Sequence, residues 1–197
     1  MSTNLLVLIV VVAVLVIGII SIYNGLVKRK VATQDAASNI IVILKQRADL
    51  LPNLVETVKG YAKHEQTTFS DVTAARASIN TMASQGSSVD PSELAKNANF
   101  FSNSLARLLA VSENYPDLKA NQNFLRLQET IEHTENSLVQ ARRFFNGTVR
   151  EYETKRQVFP ANIIANVANF KTIEFYDDEA AKESAKGLDS SDIKVSF

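Results

Sequence analysis

The residue types that could support chemistry are few. His64 and His133 are the only histidines in 197 residues, and cysteine is absent. A di-iron or di-manganese centre in a helical bundle needs paired Glu-x-x-His motifs and two further inward glutamates. Neither histidine has a glutamate three residues before it. Glu129 and His133 stand four apart, on one face of a helix, a spacing that could hold a metal weakly. Their surroundings, QETIEHTEN at 128–136, are polar and read as a solvated helix face. No metal or other cofactor is expected. The chain has no G-x-S-x-G elbow, no P-loop and no G-x-G-x-x-G turn, and its serines fall in loops or on polar faces. Long helices in a narrow bundle offer little concavity for substrate, so no catalytic residue is assigned and the protein is not expected to be an enzyme.

Two polar sets remain. Asp49, Glu56 and Lys63 are seven apart and lie opposite an apolar stripe, which makes an exposed strip. Such a strip is either a solvated face or a surface for a partner. Arg142 and Arg143 flank the apolar seam of Leu138 and Phe145, and Arg142 is close enough to snorkel along it or pair with an acid. Glu65 takes a core-type position and is one candidate for that acid. Twenty-one Lys and Arg balance 21 Asp and Glu, so nothing points to nucleic acid as a partner.

These residues must be positioned by helices, because strand-like alternation is missing before the tail. Residues 5–20, LLVLIVVVAVLVIGII, carry no polar side chain. Extended to residue 22 the run makes roughly 27 Å of helix, close to the thickness of a hydrocarbon core. Leu5, Val10, Leu15 and Ile20 mark this transmembrane helix. No Lys or Arg precedes the run and no small-residue cleavage pattern follows it, so an uncleaved anchor is expected in preference to a signal peptide. Lys28, Arg29 and Lys30 follow it directly. By the positive-inside rule the anchor is single-pass in the cytoplasmic (inner) membrane, with the N-terminus outside and the bundle in the cytoplasm.

Beyond the anchor, apolar residues recur by sevens. Leu44, Leu51, Val58, Val72 and Ile79 keep one phase, with Glu65 at the missing step. The phase passes through Pro52 and Gly60, which predicts one long helix over about 31–83, kinked at Pro52. The competing reading is a break within 64–68. A second helix is predicted over 91–113, with Asp90 as cap and Pro91 at the first position. A third follows from Phe124, Ile131, Leu138, Phe145, Tyr152 and Phe159. A short fourth is expected over 161–170. The expected fold is all-α: an N-terminal transmembrane helix, then an antiparallel bundle of long helices, three long and one short. The divisions are 1–27 for the anchor and juxtamembrane segment, 28–170 for the bundle and 171–197 for a flexible acidic tail.

With one unbroken first helix, the second returns only part way and the third moves away from the membrane again. Ile40, Ile41 and Leu44 would then lack cover within the chain, and an exposed apolar stripe marks an interaction site. Self-association through this stalk is the expectation. If the first helix breaks, a four-helix bundle can close within one chain and that expectation weakens.

Several stretches carry a resemblance. YNGLVKRKV (23–31), KQRADLLPNLVETVKGYAKHE (45–65), VTAARA (72–77), ARRFFNGTVREY (141–152) and FPANIIA (159–165) resemble the LemA family of bacterial membrane-anchored proteins. The run QDAASNIIVILKQR (34–47) departs from the family's more polar, Ala-Trp-containing segment, and the chain has no tryptophan. The resemblance implies one N-terminal transmembrane helix, a bundle of long helices and no established catalytic activity. Its motif positions here, Pro52, Asn53, Glu56, Lys59, Arg142, Arg143 and Asn146, are interaction or structural candidates. The combined expectation is a membrane-anchored scaffold or interaction protein. Its partners would be the lipid bilayer, a second copy of itself and unidentified membrane or envelope proteins. The alternatives are an exported envelope adaptor of opposite topology and a Glu/His metal-binding bundle.

Overall fold

The computed structural model describes residues 3–86 and 89–176. Six α-helices and one 3-10 turn (Ser112–Asn114) occur among the described residues: α1 (Thr3–Lys59), α2 (Gln66–Gln85), α3 (Pro91–Val111), α4 (Pro116–Lys119), α5 (Gln122–Gln157) and α6 (Ala161–Val167). No strand occurs among them. The architecture is the expected all-α bundle behind an apolar N-terminal helix, with four long helices and two short ones.

Helix α1 is continuous through Pro52. The missing backbone donor removes one bond to the Ala48 carbonyl, and the packed turns on either side hold the helix through that gap. The helix ends at Lys59, and the single long helix over 31–83 is therefore corrected. The intervening residues 60–65 occupy almost one heptad, so α2 resumes in the phase that α1 left. That coincidence, and not helical continuity, kept the apolar count in step. Glu65, the one missing step in the series, is the cap residue of α2 and its side chain makes no capping bond.

The break adds a reversal of chain direction. Helix α2 doubles back on α1, and their apolar faces share one core that includes Leu51, Leu54, Val58, Phe69, Val72 and Ile79. Helix α3 runs antiparallel to α2, with Arg107 against Asp71 at one end and Ser78 bonded to Asn97 at the other. Asp90 accepts from the Ser92 amide at 2.8 Å and Pro91 opens α3, as its sequence predicts. The Asn121 side chain caps α5 by accepting from the amides of Asn123 and Phe124. Helix α5 then runs the length of α1 in the opposite direction: Tyr61 meets Asn121, Arg47 meets Glu135 and Arg29 meets Glu151.

Helix lengths set the shape. At 1.5 Å per residue α2 and α3 are each about 30 Å, whereas α5 is about 54 Å. The distal part of α1, α2, α3 and the first half of α5 form a four-helix head. Below it α1 and α5 continue as a two-helix neck, closed on one side by α6 and by residues 170–176. Because α5 heads toward the anchor, it covers the stripe that was expected to lie bare. Ile40, Ile41 and Leu44 are buried in the core of this chain. Their assignment as an uncovered self-association surface is corrected on that ground.

The apolar span of α1 is exposed along its whole length. Its 18-residue window has a mean hydropathy of 3.5 with none of it buried, and α1 is the one described helix long and apolar enough to cross a membrane.

Candidate functional site

Where head meets neck, the interior turns polar. Arg47 of α1 is buried. It pairs with Glu135 of α5, lies 5.5 Å from the centre of the Phe101 ring and reaches Ser102 at 3.5 Å. Burial holds the Arg47 guanidinium below its usual range; Glu135 opposes that shift and Arg142 adds to it. An ion pair in this setting adds little net stability, since desolvation offsets much of the attraction. The sequence carried a signal for Arg47 that went unread. It occupies the position between Leu44 and Leu51 in the row Ile40, Leu44, Leu51, Leu54, Val58, the 3–4 spacing of a core stripe.

From there a polar ladder descends one face of α5 and is read by the extended segment 171–176. The Arg142 guanidinium stacks on the Tyr176 ring at 4.8 Å. Asn146 accepts from the Tyr176 amide at 2.8 Å and donates to its carbonyl at 3.1 Å, as a neighbouring strand would. Glu153 accepts from the Ile173 amide at 2.9 Å and from Arg156 at 2.8 Å. The Tyr152 hydroxyl donates to the Lys171 carbonyl at 2.7 Å, and Arg156 donates to the Thr172 hydroxyl. Burial alone would raise the Glu153 carboxyl; the bonds from Arg156, Ile173 and Gln157 outweigh it and hold the group below its usual range. Burial pushes the Tyr152 hydroxyl up. Residues 171–176, the first part of the expected tail, are thus strapped to the neck, and 177–197 lie outside the described residues.

The strap forms one wall of an open groove of about 970 Å3, whose other walls are the first turns of α3 and the end of α5. Lys96, Phe100, Arg150, Glu174 and Phe175 line it. The expectation of little concavity in a narrow bundle is corrected, because the short α3 stops above the neck and leaves a step. The groove's one buried carboxylate, Glu153, has both oxygens engaged.

The residues singled out from sequence fall into separate places. Asp49, Asn53, Glu56 and Lys59 are exposed near the distal end of α1, with Pro52 half-buried among them. Asp49 is paired with Lys45 at 2.6 Å, and Lys59 lies 5.3 Å from the Phe69 ring centre. Arg142 and Asn146 belong to the neck, and Arg143 faces solvent. By helix rise, Lys59 stands about 28 Å above the level of Arg142. The family-motif positions therefore do not converge on one site. Glu65 lies in the distal turn, so the Arg142–Glu65 pairing is corrected: the ring of Tyr176 covers the guanidinium. Both histidines are exposed and lie on different elements, and no group of three His, Cys, Asp or Glu with metal-binding geometry occurs among the described residues.

A long antiparallel bundle whose first helix extends into an exposed apolar segment defines the class: a helical protein built to associate with a membrane. Residues 36–197 match the sequence profile of the LemA family, and the chain belongs to that family. It is similar to magnetosome protein MamQ 2 of Paramagnetospirillum magneticum, with 24% identity covering 82% of this chain and 67% of that protein. Magnetosome protein MamQ of Magnetospirillum gryphiswaldense is 22% identical with the same coverage. Protein LemA of Metamycoplasma hominis is 23% identical over 87% of this chain and 75% of that protein.

Proposed function

We propose that this chain is a single-pass membrane-anchored interaction or scaffold protein. Its bundle stands on the cytoplasmic face of the inner membrane and presents its distal end to protein partners. The observation that carries the reading is the continuity of α1, which passes from an exposed apolar span into the core of the head without a joint. A catalytic role needs convergent groups that are free to react, and the buried acid in the groove, Glu153, is already bonded on both oxygens. The exposed side chains of Asp49, Asn53, Glu56 and Lys59, at the end farthest from the span, are the proposed contact strip.

The orientation rests on Lys28, Arg29 and Lys30 at the base of the neck. Because the chain lacks cysteine, Glu132→Cys on the exposed face of α5 gives a single label site. A membrane-impermeant thiol reagent should leave it unmodified in intact cells and label it after lysis. Labelling before lysis would reverse the orientation. For the contact strip, a photo-crosslinker at Glu56 should give discrete adducts in membranes, and one at exposed Leu125 should not. Equal adduct patterns from both positions would remove the strip from the proposal.

A further inference from the structure

Helix α6 is amphipathic in the wrong sense for water. Its inward row is Ala161 and Ala165, both buried. Its outward row continues from the α5–α6 turn as Phe159, Ile163 and Val167, which are 78%, 55% and 85% exposed. Ile163 and Val167 are four apart and share one face of α6, and Phe159 stands exposed in the turn that precedes it. Small residues inside and large apolar residues outside make no sense for a helix bathed in water. They suit a helix lying at a lipid boundary.

The height of this face is fixed by the neck. Arg29 pairs with Glu151, and Gly25 abuts the Lys155 side chain. Continuing that antiparallel register by one turn brings Phe159 level with Ser21, at the end of the apolar span. Beyond the other end of α6 the Phe170 ring meets that of Tyr23 edge to face at 5.6 Å, so both ends of the short helix sit near this level. Lys28 and Lys30 are exposed just above it on α1, and Lys171 on the strap; of the nearby acids Glu151 and Glu153 are engaged by Arg29 and Arg156, and Glu174 is exposed on the strap.

We propose that the α5–α6 turn and the outer face of α6 insert into the headgroup and upper acyl region of the leaflet from which α1 emerges. The protein then holds its membrane at two points, a span and an interfacial wedge. The partner is the lipid surface, with anionic headgroups favoured by the free lysines. The inference rests on the reading of residues 5–22 as a span.

Tryptophan is absent from the chain, so one substitution supplies a unique depth probe. The full chain is reconstituted in phosphatidylcholine–phosphatidylglycerol vesicles that contain lipid with a nitroxide near the headgroup. Phe159→Trp and Val167→Trp replace exposed residues and leave the packing intact. Both should emit at shorter wavelength than Phe144→Trp, which is exposed mid-way along α5, and be quenched by about twofold or more while Phe144→Trp is not. Val10→Trp, probed with a deep nitroxide, reports the span. Unquenched Phe159→Trp and Val167→Trp beside a quenched Val10→Trp would overturn the wedge and leave the anchor standing. A blue shift without lipid quenching would mean that protein covers the face, which also overturns it. An unquenched Val10→Trp would defeat the anchor and the wedge together.

Discussion

Leu44→Ala separates cover within one chain from cover by a second copy. Leu44 is fully buried in the bundle, in the same core as Ile40, Leu51 and Leu138. Truncating a leucine in such a place removes its transfer free energy and leaves a partly uncollapsed cavity, a cost of about 2–5 kcal/mol. For a chain of this size that lowers the thermal midpoint by about 4–20 °C. Val42, two residues earlier on the same helix, is 53% exposed. Val42→Ala should stay within about 0.5 kcal/mol of the parent. The assay is thermal and urea unfolding of the detergent-solubilised full chain, followed by far-UV circular dichroism over a wide range of protein concentration. Cover by α5 of the same chain gives a midpoint independent of concentration and the full loss for Leu44→Ala. A dimer interface at this stripe gives a midpoint that rises with concentration, by mass action. That dependence, or a Leu44→Ala loss no larger than that of Val42→Ala, would refute the closed bundle described here.

Other outcomes follow from the neck. The Glu153 carboxyl is held below its usual range when folded, so its contribution is complete above the ordinary carboxylate pKa and disappears as pH falls through the lowered value. The protection of the Ile173 amide, its exchange rate relative to the unfolded chain at the same pH, should fall on acidification through that window, and Glu153→Gln should flatten the dependence. Asn146→Ala removes both bonds to the Tyr176 backbone and should cost about 1–3 kcal/mol locally, read as faster exchange at Tyr176 with little change in global unfolding. Gly147 lies on the exposed side of α5 with open space where a Cβ would go. Gly147→Ala should therefore stabilise the protein by about 0.5–1 kcal/mol, measured by urea midpoint.

Much of the fold could be read from residue spacing, and the failures have physical causes. The span and the seam from Phe124 to Tyr152 were legible because every helical turn there places an apolar side chain on the same face. The start of α3 was legible because Asp90 and Pro91 act locally. The turn after Lys59 was not, because a six-residue connection preserves a seven-residue count. That one error reversed the direction of α5 and turned a buried stripe into an expected interface. The strap was illegible for a different reason. Its bonds to Asn146, Glu153 and Tyr152 run from backbone groups to side chains some 20–30 residues away, and no periodicity records such pairings. Arg142 was placed correctly beside its seam, but its neighbour Tyr176 could not be found without the strap.

The unbroken course of α1 makes its apolar segment and the head a single lever. From residue 23 to its end the helix stands roughly 55 Å tall, so a change in anchor tilt of about 10° sweeps the distal tip by about 10 Å. Apolar helices tilt to match the thickness of the bilayer around them. On the proposed span and contact strip, a partner docked at the tip would be moved toward or away from its neighbours whenever the protein passes between thin and thick regions of lipid.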